Sequence, residues 1–277
     1  MTFDVVCADP VFLDLTFTGL PGLPPAGGEQ FAHDLHVSPG GAAITAIGLS
    51  RLGLRVALTA PLGSDVAGRT LREILGAEGV VCAADEAART AVTVVLPFAG
   101  DRAMVSYAPP LEDDPESISR LDPRAVVVAL ERLEAVPTGP LLYAVLADPQ
   151  ADRLAGSMSR RLAEAQALLA NRSEAERLTG EPGPEEAALA LAEVVPTAVV
   201  TCGPDGAVAA SNGVVHRAPA PRLEAVDTTG AGDLFTAAYV WGDLGGLGLE
   251  ERLRRAVAYA SLSVRVPTAT AGAASTA

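Results

Sequence analysis

Short apolar runs rich in valine, leucine and alanine recur along this chain and alternate with segments of helical pattern. The runs have no polar face, which is typical of strands in a parallel sheet that is covered on both sides. They lie at residues 4–8, 55–60, 125–130, 141–147, 165–170 and 198–202. Helical segments are predicted at residues 41–52, 68–77 and 184–194. This alternation predicts an α/β layered fold.

Two parts of the chain depart from that pattern, because their apolar and polar residues alternate one by one. The alternation is present at residues 13–17, 31–37, 91–96 and 103–107. It predicts strands with one face in water, which a fully covered parallel sheet does not accommodate. We therefore predict a small separate sheet, formed by residues 11–37 and 89–107, inserted into a core of residues 1–10, 38–88 and 108–277.

Charge and residue usage exclude several functions. The net charge of −14 argues against nucleic acid or an anionic membrane as partner. All 20 basic residues are arginine, which rules out a Schiff-base lysine and a phosphate-loop lysine. The three cysteines show no metal-ligand spacing, and no apolar run approaches the roughly 18 residues of a membrane span. We expect a cytoplasmic protein.

Residues 227–233, with the sequence Asp-Thr-Thr-Gly-Ala-Gly-Asp, precede an apolar helical run. The glycines allow a tight turn, and the amides that open a helix have no intrahelical acceptor, so they favour a phosphate oxygen. Asp233 lies in the same turn. We predict that Asp233 stays ionised near neutral pH and acts as a general base beside that phosphate. The alternative is an ordinary first-turn acid that complements the helix dipole.

This segment resembles the D-T-x-G-A-G-D signature of the ribokinase-like sugar kinases, also called the phosphofructokinase B (PfkB) family. Every fixed position of the signature is present. The resemblance implies a three-layer α/β/α fold with a β-sheet lid over the sugar site, and a homodimer formed through that lid. It also implies transfer of the ATP γ-phosphoryl group to a sugar hydroxyl. Asp233 would take the proton, and the amides of Gly230, Ala231 and Gly232 would neutralise the developing charge.

The resemblance also suggests where the sugar would bind. The family uses an Asp after its first strand to grip adjacent sugar hydroxyls, and both Asp14 and Asp9 lie in that region. Its first signature, G-G-x-x-x-N, corresponds to Gly40, Gly41 and Thr45, with Thr in place of Asn. A Thr hydroxyl offers one donor where an Asn amide offers two. The pattern of sugar hydroxyls that the site recognises should therefore differ from that of ribose.

On the nucleotide side, Asn171 and Glu174 resemble the family's N-x-x-E motif. The resemblance implies that they orient waters on a Mg²⁺ ion that bridges the ATP phosphates, so that Glu174 binds Mg²⁺ through water. A capping box, with an N-cap residue and a Glu three residues later, is the other interpretation, and both can hold at once. The T-x-G-x-x-G pattern of Thr201, Gly203 and Gly206 resembles the element that borders the nucleotide phosphates.

Asp227 and Thr229 resemble positions that hold a monovalent cation, often K⁺, in several family members. We therefore expect them to contribute to such a site. The partner ligands in those proteins come from the C-terminal segment, and here residues 266–273 do not match that segment.

The acceptor is best described as a neutral monosaccharide. Ketodeoxygluconate kinases place an Arg shortly after a lid tyrosine, whereas Tyr107 is followed by Ala-Pro-Pro-Leu-Glu. Aromatic residues, which could stack on a nucleobase, make up 4% of the chain. A nucleoside kinase of the same family is one alternative, and a sensor that binds sugar or nucleotide without turnover is another.

Overall fold

The computed structural model describes residues 2–84, 86–98, 101–146, 160–223, 225–266 and 268–274. Within these residues the chain forms two sheets. The apolar runs identified above form strands of the larger sheet, and the alternating stretches form the smaller one. The strand predicted at residues 141–147 ends at Val145, and Ala147 lies outside the described residues.

The larger sheet has nine strands in the order β13-β12-β11-β10-β9-β8-β1-β4-β5. Its strands from β11 to β5 are parallel, and the hairpin strands β12 and β13 are antiparallel. The strands are β1 (Val5–Cys7), β4 (Val56–Leu58), β5 (Val81–Cys82), β8 (Ala125–Ala129), β9 (Leu141–Val145), β10 (Ala167–Asn171), β11 (Ala198–Thr201), β12 (Ala207–Ser211) and β13 (Val214–Ala218).

Helices cover both faces of this sheet and create the three layers. Side chains alternate along β1, so Val5 and Cys7 belong to one apolar core and Val6 belongs to the other. The helices are α1 (Ala42–Arg51), α2 (Val66–Ala77), α3 (Pro115–Leu121), α4 (Arg172–Thr179), α5 (Pro184–Leu191), α6 (Ala231–Leu244), α7 (Leu249–Ser263) and the short α8 (Ala269–Gly272). Single 3-10 turns lie at Leu130–Ala135, Arg160–Glu164 and Gly203–Asp205.

The smaller sheet has four strands in the order β3-β2-β6-β7, namely β2 (Val11–Thr18), β3 (Asp34–Gly41), β6 (Ala91–Phe98) and β7 (Asp101–Tyr107). β2 pairs with β6 in parallel, and the other two pairs are antiparallel. β2 follows the core strand β1 after a short loop, and β3 leads directly into helix α1. The smaller sheet is therefore connected closely to the carboxyl end of β1, where open α/β sheets bind ligands.

Several element boundaries differ from the prediction by a few residues, and two of these differences have a clear physical reason. β3 runs past residue 37 to Gly41 and includes Pro39. β3 is an edge strand, where a proline can be accommodated because only one side of the strand forms the ladder. Helix α2 begins at Val66 instead of residue 68, because Asp65 caps it by accepting the Gly68 N–H at 2.8 Å.

Helices long and apolar enough to cross a lipid bilayer are absent from the described part of the chain.

Candidate active site

The start of helix α6 forms one wall of the candidate site. Gly230 is the N-cap, with a left-handed φ of 74°. A Cβ there would lie 2.5 Å from the Ala269 Cβ and 2.7 Å from Ile44 Cδ1, so a side chain does not fit. The Ala231 N–H donates to the Thr228 carbonyl at 3.3 Å. Among the described residues no backbone acceptor takes the Gly230 N–H or the Gly232 N–H, so these two of the three predicted amides are available as donors.

Asp233 follows at the third position of α6, and its side chain is partly exposed. The Thr45 hydroxyl of α1 donates toward Asp233 Oδ1 and toward the Asp233 carbonyl, both at 3.3 Å. Burial raises the pKa of Asp233 to about 7, and the negative charges of Asp14 and Asp9 raise it further, against the hydrogen bond from Thr45. Asp233 is therefore only partly ionised near neutral pH, where the sequence predicted an ionised carboxylate. Desolvation and two neighbouring carboxyls outweigh the helix N-terminus.

Asp14 lies on β2, close enough for its charge to act on Asp233. Its side chain is buried, and burial raises its pKa to about 6 against a hydrogen bond from Thr93. A Cβ at Gly40 would lie 2.2 Å from Asp14 Oδ2, so the glycine leaves the space that the carboxylate occupies. Gly41 is the N-cap of α1 with a φ of 60°, and a Cβ there would lie 2.4 Å from the Pro10 carbonyl oxygen.

Asp9 has a different environment from Asp14. Its Oδ1 accepts the Ala129 N–H at 2.9 Å and lies 3.8 Å from Arg132 Nη1. These contacts hold the loop after β1 against the end of β8. Asp9 therefore already has backbone and guanidinium partners, whereas Asp14 accepts a hydrogen bond from the neighbouring Thr93 hydroxyl.

Asp14 belongs to a polar row that crosses all four strands of the smaller sheet. Ser38 pairs with Asp14, Asp14 with Thr93, and Thr93 with Ser106. The Thr93 and Ser106 hydroxyls are 3.0 Å apart. The sequence prediction missed Ser38, Thr93 and Ser106. The strand alternation shows which residues share a face within one strand, but the row also needs the register between strands.

Asn171 and Glu174 join β10 to α4. The Asn171 side chain accepts the Glu174 N–H at 2.9 Å, and Glu174 Oε2 accepts the Asn171 N–H at 2.8 Å. The capping-box interpretation is therefore confirmed. Both residues also line a cavity of about 270 Å³ that Gly232 and Asp233 border. The cap thus fixes the Glu174 carboxylate at a cavity that the candidate base also borders.

A larger cavity of about 820 Å³ adjoins the smaller one. Asn171, Thr201 and Gly232 line both cavities, so the two are neighbours at the start of α6. Gly203, with a φ of 55°, also lines the larger cavity. Gly206 has a φ of 97°, and a Cβ there would lie 2.0 Å from the Ala218 carbonyl oxygen, so this glycine also fits the hairpin geometry.

The far wall of the larger cavity contains residues that the sequence prediction did not identify. They are small or apolar and belong to the segment after β13 and to helix α7: Ala220, Pro221, Leu223, Val257, Ala260 and Val264. Arg172 and Arg222 add two guanidinium groups to the lining. No motif marks these positions, because an apolar wall of this kind has the same composition as a packed core.

Asp227 connects the α6 segment to the C-terminal segment. Its Oδ1 accepts the Thr229 N–H at 2.8 Å, and its Oδ2 accepts the Thr268 N–H at 3.1 Å. The described residues contain no group of three or more His, Cys, Asp or Glu arranged around a metal. The monovalent cation at Asp227 and Thr229 stays a prediction.

Comparison with known proteins identifies relatives along most of the chain. The family model described as pfkB family carbohydrate kinase matches residues 9–130 and 138–276. A ribokinase of Lactococcus lactis subsp. lactis is 34% identical over 67 residues, which is 24% of this chain and 22% of that relative's length. The chain thus matches less than a quarter of this curated relative.

Solved structures extend the similarity to the whole fold. A ribokinase from Thermotoga maritima superposes with a TM-score of 0.83 at 19% identity, covering 98% of this chain and 95% of that one. Arabidopsis thaliana ribokinase complexed with ribose and ATP gives 0.81 at 24% identity, covering 99% and 96%. The adenosine kinase from Sinorhizobium meliloti gives 0.80 at 20% identity, covering 98% of each. These superpositions establish a common fold.

Proposed function

The chain belongs to the pfkB family of carbohydrate kinases, and we propose that it transfers the γ-phosphoryl group of ATP to a hydroxymethyl group of a neutral monosaccharide. One observation carries the proposal. Gly232 lines both cavities and the adjacent Asp233 borders the smaller one, with Asp14 among the charges that act on Asp233. A backbone amide that can bind a phosphate oxygen and a candidate base are therefore next to each other.

Each part of the site has a role in this reaction. Asp233 takes the proton of the attacking hydroxyl, and a pKa near the working pH suits a general base. The Gly230, Ala231 and Gly232 segment faces the transferring phosphoryl group, with the Gly230 and Gly232 N–H groups as available donors. Thr201 and Gly203 border the nucleotide phosphates, and Gly206 shapes the hairpin beside them.

Magnesium fits the donors of the smaller cavity. Glu174 is a buried carboxylate whose Oε2 is fixed by the Asn171 N–H, and it lines the same cavity as Asp233. Oxygen donors of this kind suit a Mg²⁺ ion that keeps several waters. When bound, Mg²⁺ would neutralise negative charge on the ATP phosphates. Asp227 and Thr229 remain our proposal for a K⁺ site, which is tested by comparing the rate in KCl with that in a tetramethylammonium salt.

The acceptor side supports a neutral polyhydroxy compound. Ser38, Asp14, Thr93 and Ser106 present hydroxyls and one carboxylate in a row, which matches the donors and acceptors of sugar hydroxyls. Asp9 and Asp14 are close enough to Asp233 to affect its charge state. An acid or phosphorylated sugar would bring another negative charge to these carboxyls, which costs binding free energy.

A nucleoside is the alternative acceptor, and one observation favours it. Phe12 lies two residues before Asp14 on the same face of β2, and it is partly exposed. An aromatic ring in that position could stack on a nucleobase. The adenosine kinase from Sinorhizobium meliloti has the same fold.

A panel experiment separates these functions. The purified protein is incubated with MgATP and one of several neutral hexoses and pentoses, acid sugars or nucleosides, and ADP and phosphorylated product are measured. We expect product with at least one neutral sugar. Product with nucleosides alone would replace the proposal with a nucleoside kinase. Sugar binding by calorimetry without product from any acceptor would support the sensor.

We further propose that two copies associate through the smaller sheet, which would act as a lid over the sugar site. The face opposite the polar row is apolar, and Leu35, Val37, Val105 and Tyr107 are each at least 45% exposed there. Monomers seldom expose an apolar surface of this continuity. Sedimentation equilibrium should give a dimer, and Val105→Arg should shift it toward the monomer.

The compartment that fits best is the cytoplasm. Cys7, Cys82 and Cys202 are free thiols, and Cys7 and Cys202 are buried. ATP and free thiols are both cytoplasmic features. A tagged copy in its own cell should therefore fractionate with the cytoplasmic contents.

A further inference from the structure

The Thr45 hydroxyl points to a role that its sequence position does not suggest. We infer that Thr45 is a positioning residue that holds the Asp233 carboxylate, and that it does not bind the sugar directly. The inference rests on the proposed function, because it concerns the base of that reaction. It assigns to a residue of α1 a part in controlling the Asp233 carboxylate of α6.

The geometry carries this assignment. Thr45 is 4% exposed, and its hydroxyl has two acceptors, both of which belong to Asp233. Each oxygen–oxygen distance is 3.3 Å, so the single proton is shared between the carboxylate and the backbone carbonyl. A hydrogen bond of this length is weak in a protein without substrate, and such catalytic contacts shorten in the complex. The hydroxyl thus fixes both the backbone and the side chain of the base.

The surroundings of Asp233 explain why such a donor matters. Cys7 of β1, Asp9 in the loop after it, and Asp14 of β2 interact with the Asp233 charge. Glu174 of α4 borders the same cavity. The negative charges of Asp14 and Asp9 disfavour the ionised form of Asp233, and so does its burial. The Thr45 hydroxyl acts in the opposite direction, and so does the amide of Asp233 itself.

The two possible roles of Thr45 have different effects on the kinetics. A sugar ligand contributes to sugar binding, so its loss raises the sugar KM. A group that holds the base contributes to the chemical step, so its loss lowers kcat and moves the pH at which the base becomes ionised. The polar row of the smaller sheet supplies hydroxyls for the sugar without Thr45.

The test uses Thr45→Val, which has nearly the same volume but no hydroxyl, and Thr45→Ser, which keeps it. Thr236→Val is the matched control. Thr236 is also 4% exposed, but its hydroxyl donates to the Gly232 carbonyl at 3.0 Å, within its own helix. The acid limb of the kcat profile is measured with the best sugar of the panel. Thr45→Val should move the acid limb to higher pH by about one unit. At pH values below the limb, kcat should therefore fall by about tenfold.

The sugar KM of Thr45→Val should stay within about twofold of the original, Thr45→Ser should restore the profile, and Thr236→Val should leave the acid limb in place. A raised sugar KM with an unmoved limb would assign Thr45 to the sugar and overturn the inference. An unmoved limb and an unchanged KM would overturn it as well. If Thr45→Val does not fold, Thr45→Ala provides the same comparison without the hydroxyl.

A second measurement is independent of the reaction. Carboxyl titration by ¹³C NMR of Asp-labelled protein, with the Asp233 signal assigned by its loss in Asp233→Asn, follows the base without any substrate. The midpoint should rise by about one pH unit in Thr45→Val. No rise would refute the contact. A rise in a protein that phosphorylates none of the panel would leave the positioning role intact and would reject the proposed function.

Discussion

Replacing Asp233 by Asn should stabilise the protein at alkaline pH, although it removes the proposed base. The pKa of this carboxyl is raised from 3.8 to about 7 by burial and neighbouring carboxyls. The folded chain therefore holds the proton more tightly than the unfolded chain does. The stabilisation from that proton is complete below pH 4 and is lost as the pH rises through 7. An Asn side chain carries no charge at any of these pH values, so it avoids the loss.

The size of the effect follows from the two pKa values. Between pH 5 and pH 8, a group with pKa values of 3.8 unfolded and about 7 folded loses stabilisation of at most about 2.6 kcal/mol. The side chain is partly exposed, and solvent screening reduces this to about 1–2 kcal/mol. For a chain of this size, each kcal/mol changes the melting temperature by about 2–3 °C. The stability advantage of Asp233→Asn should therefore be about 2–6 °C larger at pH 8 than at pH 5.

Thermal unfolding of both proteins at pH 5, 6, 7 and 8 measures this difference. Asp227→Asn is a suitable control in the same segment, because both Asp227 oxygens accept backbone N–H groups. An Asn cannot accept with both side-chain atoms, so this variant should be less stable than the original protein. The reasoning is refuted if Asp233→Asn is no more stable than the original at pH 8, or if the difference does not change with pH.

Three further substitutions test the site. Gly40→Ala would place a Cβ 2.2 Å from Asp14 Oδ2. It should therefore raise the sugar KM by about tenfold or more while the ATP KM stays unchanged. Steady-state kinetics with each substrate varied measures both KM values, and an equal effect on the two would contradict the prediction. Thr93→Val removes the hydroxyl between Asp14 and Ser106 and should cost about tenfold in sugar affinity by calorimetry, whereas an unchanged affinity would remove the polar row from the sugar site. Asn171→Ala breaks the capping box of α4, so it should lower the free energy of unfolding, measured in urea, by about 1 kcal/mol. It should also raise the Mg²⁺ concentration needed for half-maximal rate. An unchanged Mg²⁺ requirement would limit the motif to its capping role.

The fold could be predicted from the sequence to the extent that each strand shows its own pattern. The uniformly apolar runs identified the covered sheet, and the one-by-one alternation identified the smaller sheet, because burial on two faces or one face determines which residues a strand tolerates. The strand β3 was placed a few residues early because the one-by-one alternation ends at Val37, before Pro39. Its position at a sheet edge, where proline is accommodated, depends on the neighbours of the strand and not on the strand itself.

Sequence reasoning identified candidate residues for both parts of the site, but not their relationships. The contact between Thr45 and Asp233 joins positions 188 residues apart, and no local pattern contains it. The pKa of Asp233 was misjudged for the same reason. The helix N-terminus is visible in the sequence, whereas burial and the nearby Asp14 and Asp9 arise only when β1, β2 and α6 pack together. Ser38, Thr93 and Ser106 were missed because their row depends on strand register.

The central claim is that Asp233 is the base for phosphoryl transfer to a sugar hydroxyl. Single-turnover transfer from MgATP to the best acceptor of the panel, by the original protein and by Asp233→Asn above pH 8, tests it most directly, with sugar and MgATP affinities measured by calorimetry. We predict that transfer falls by about 10²–10⁴-fold while both affinities stay within a few fold. Transfer by Asp233→Asn at more than about a tenth of the original rate would contradict the claim.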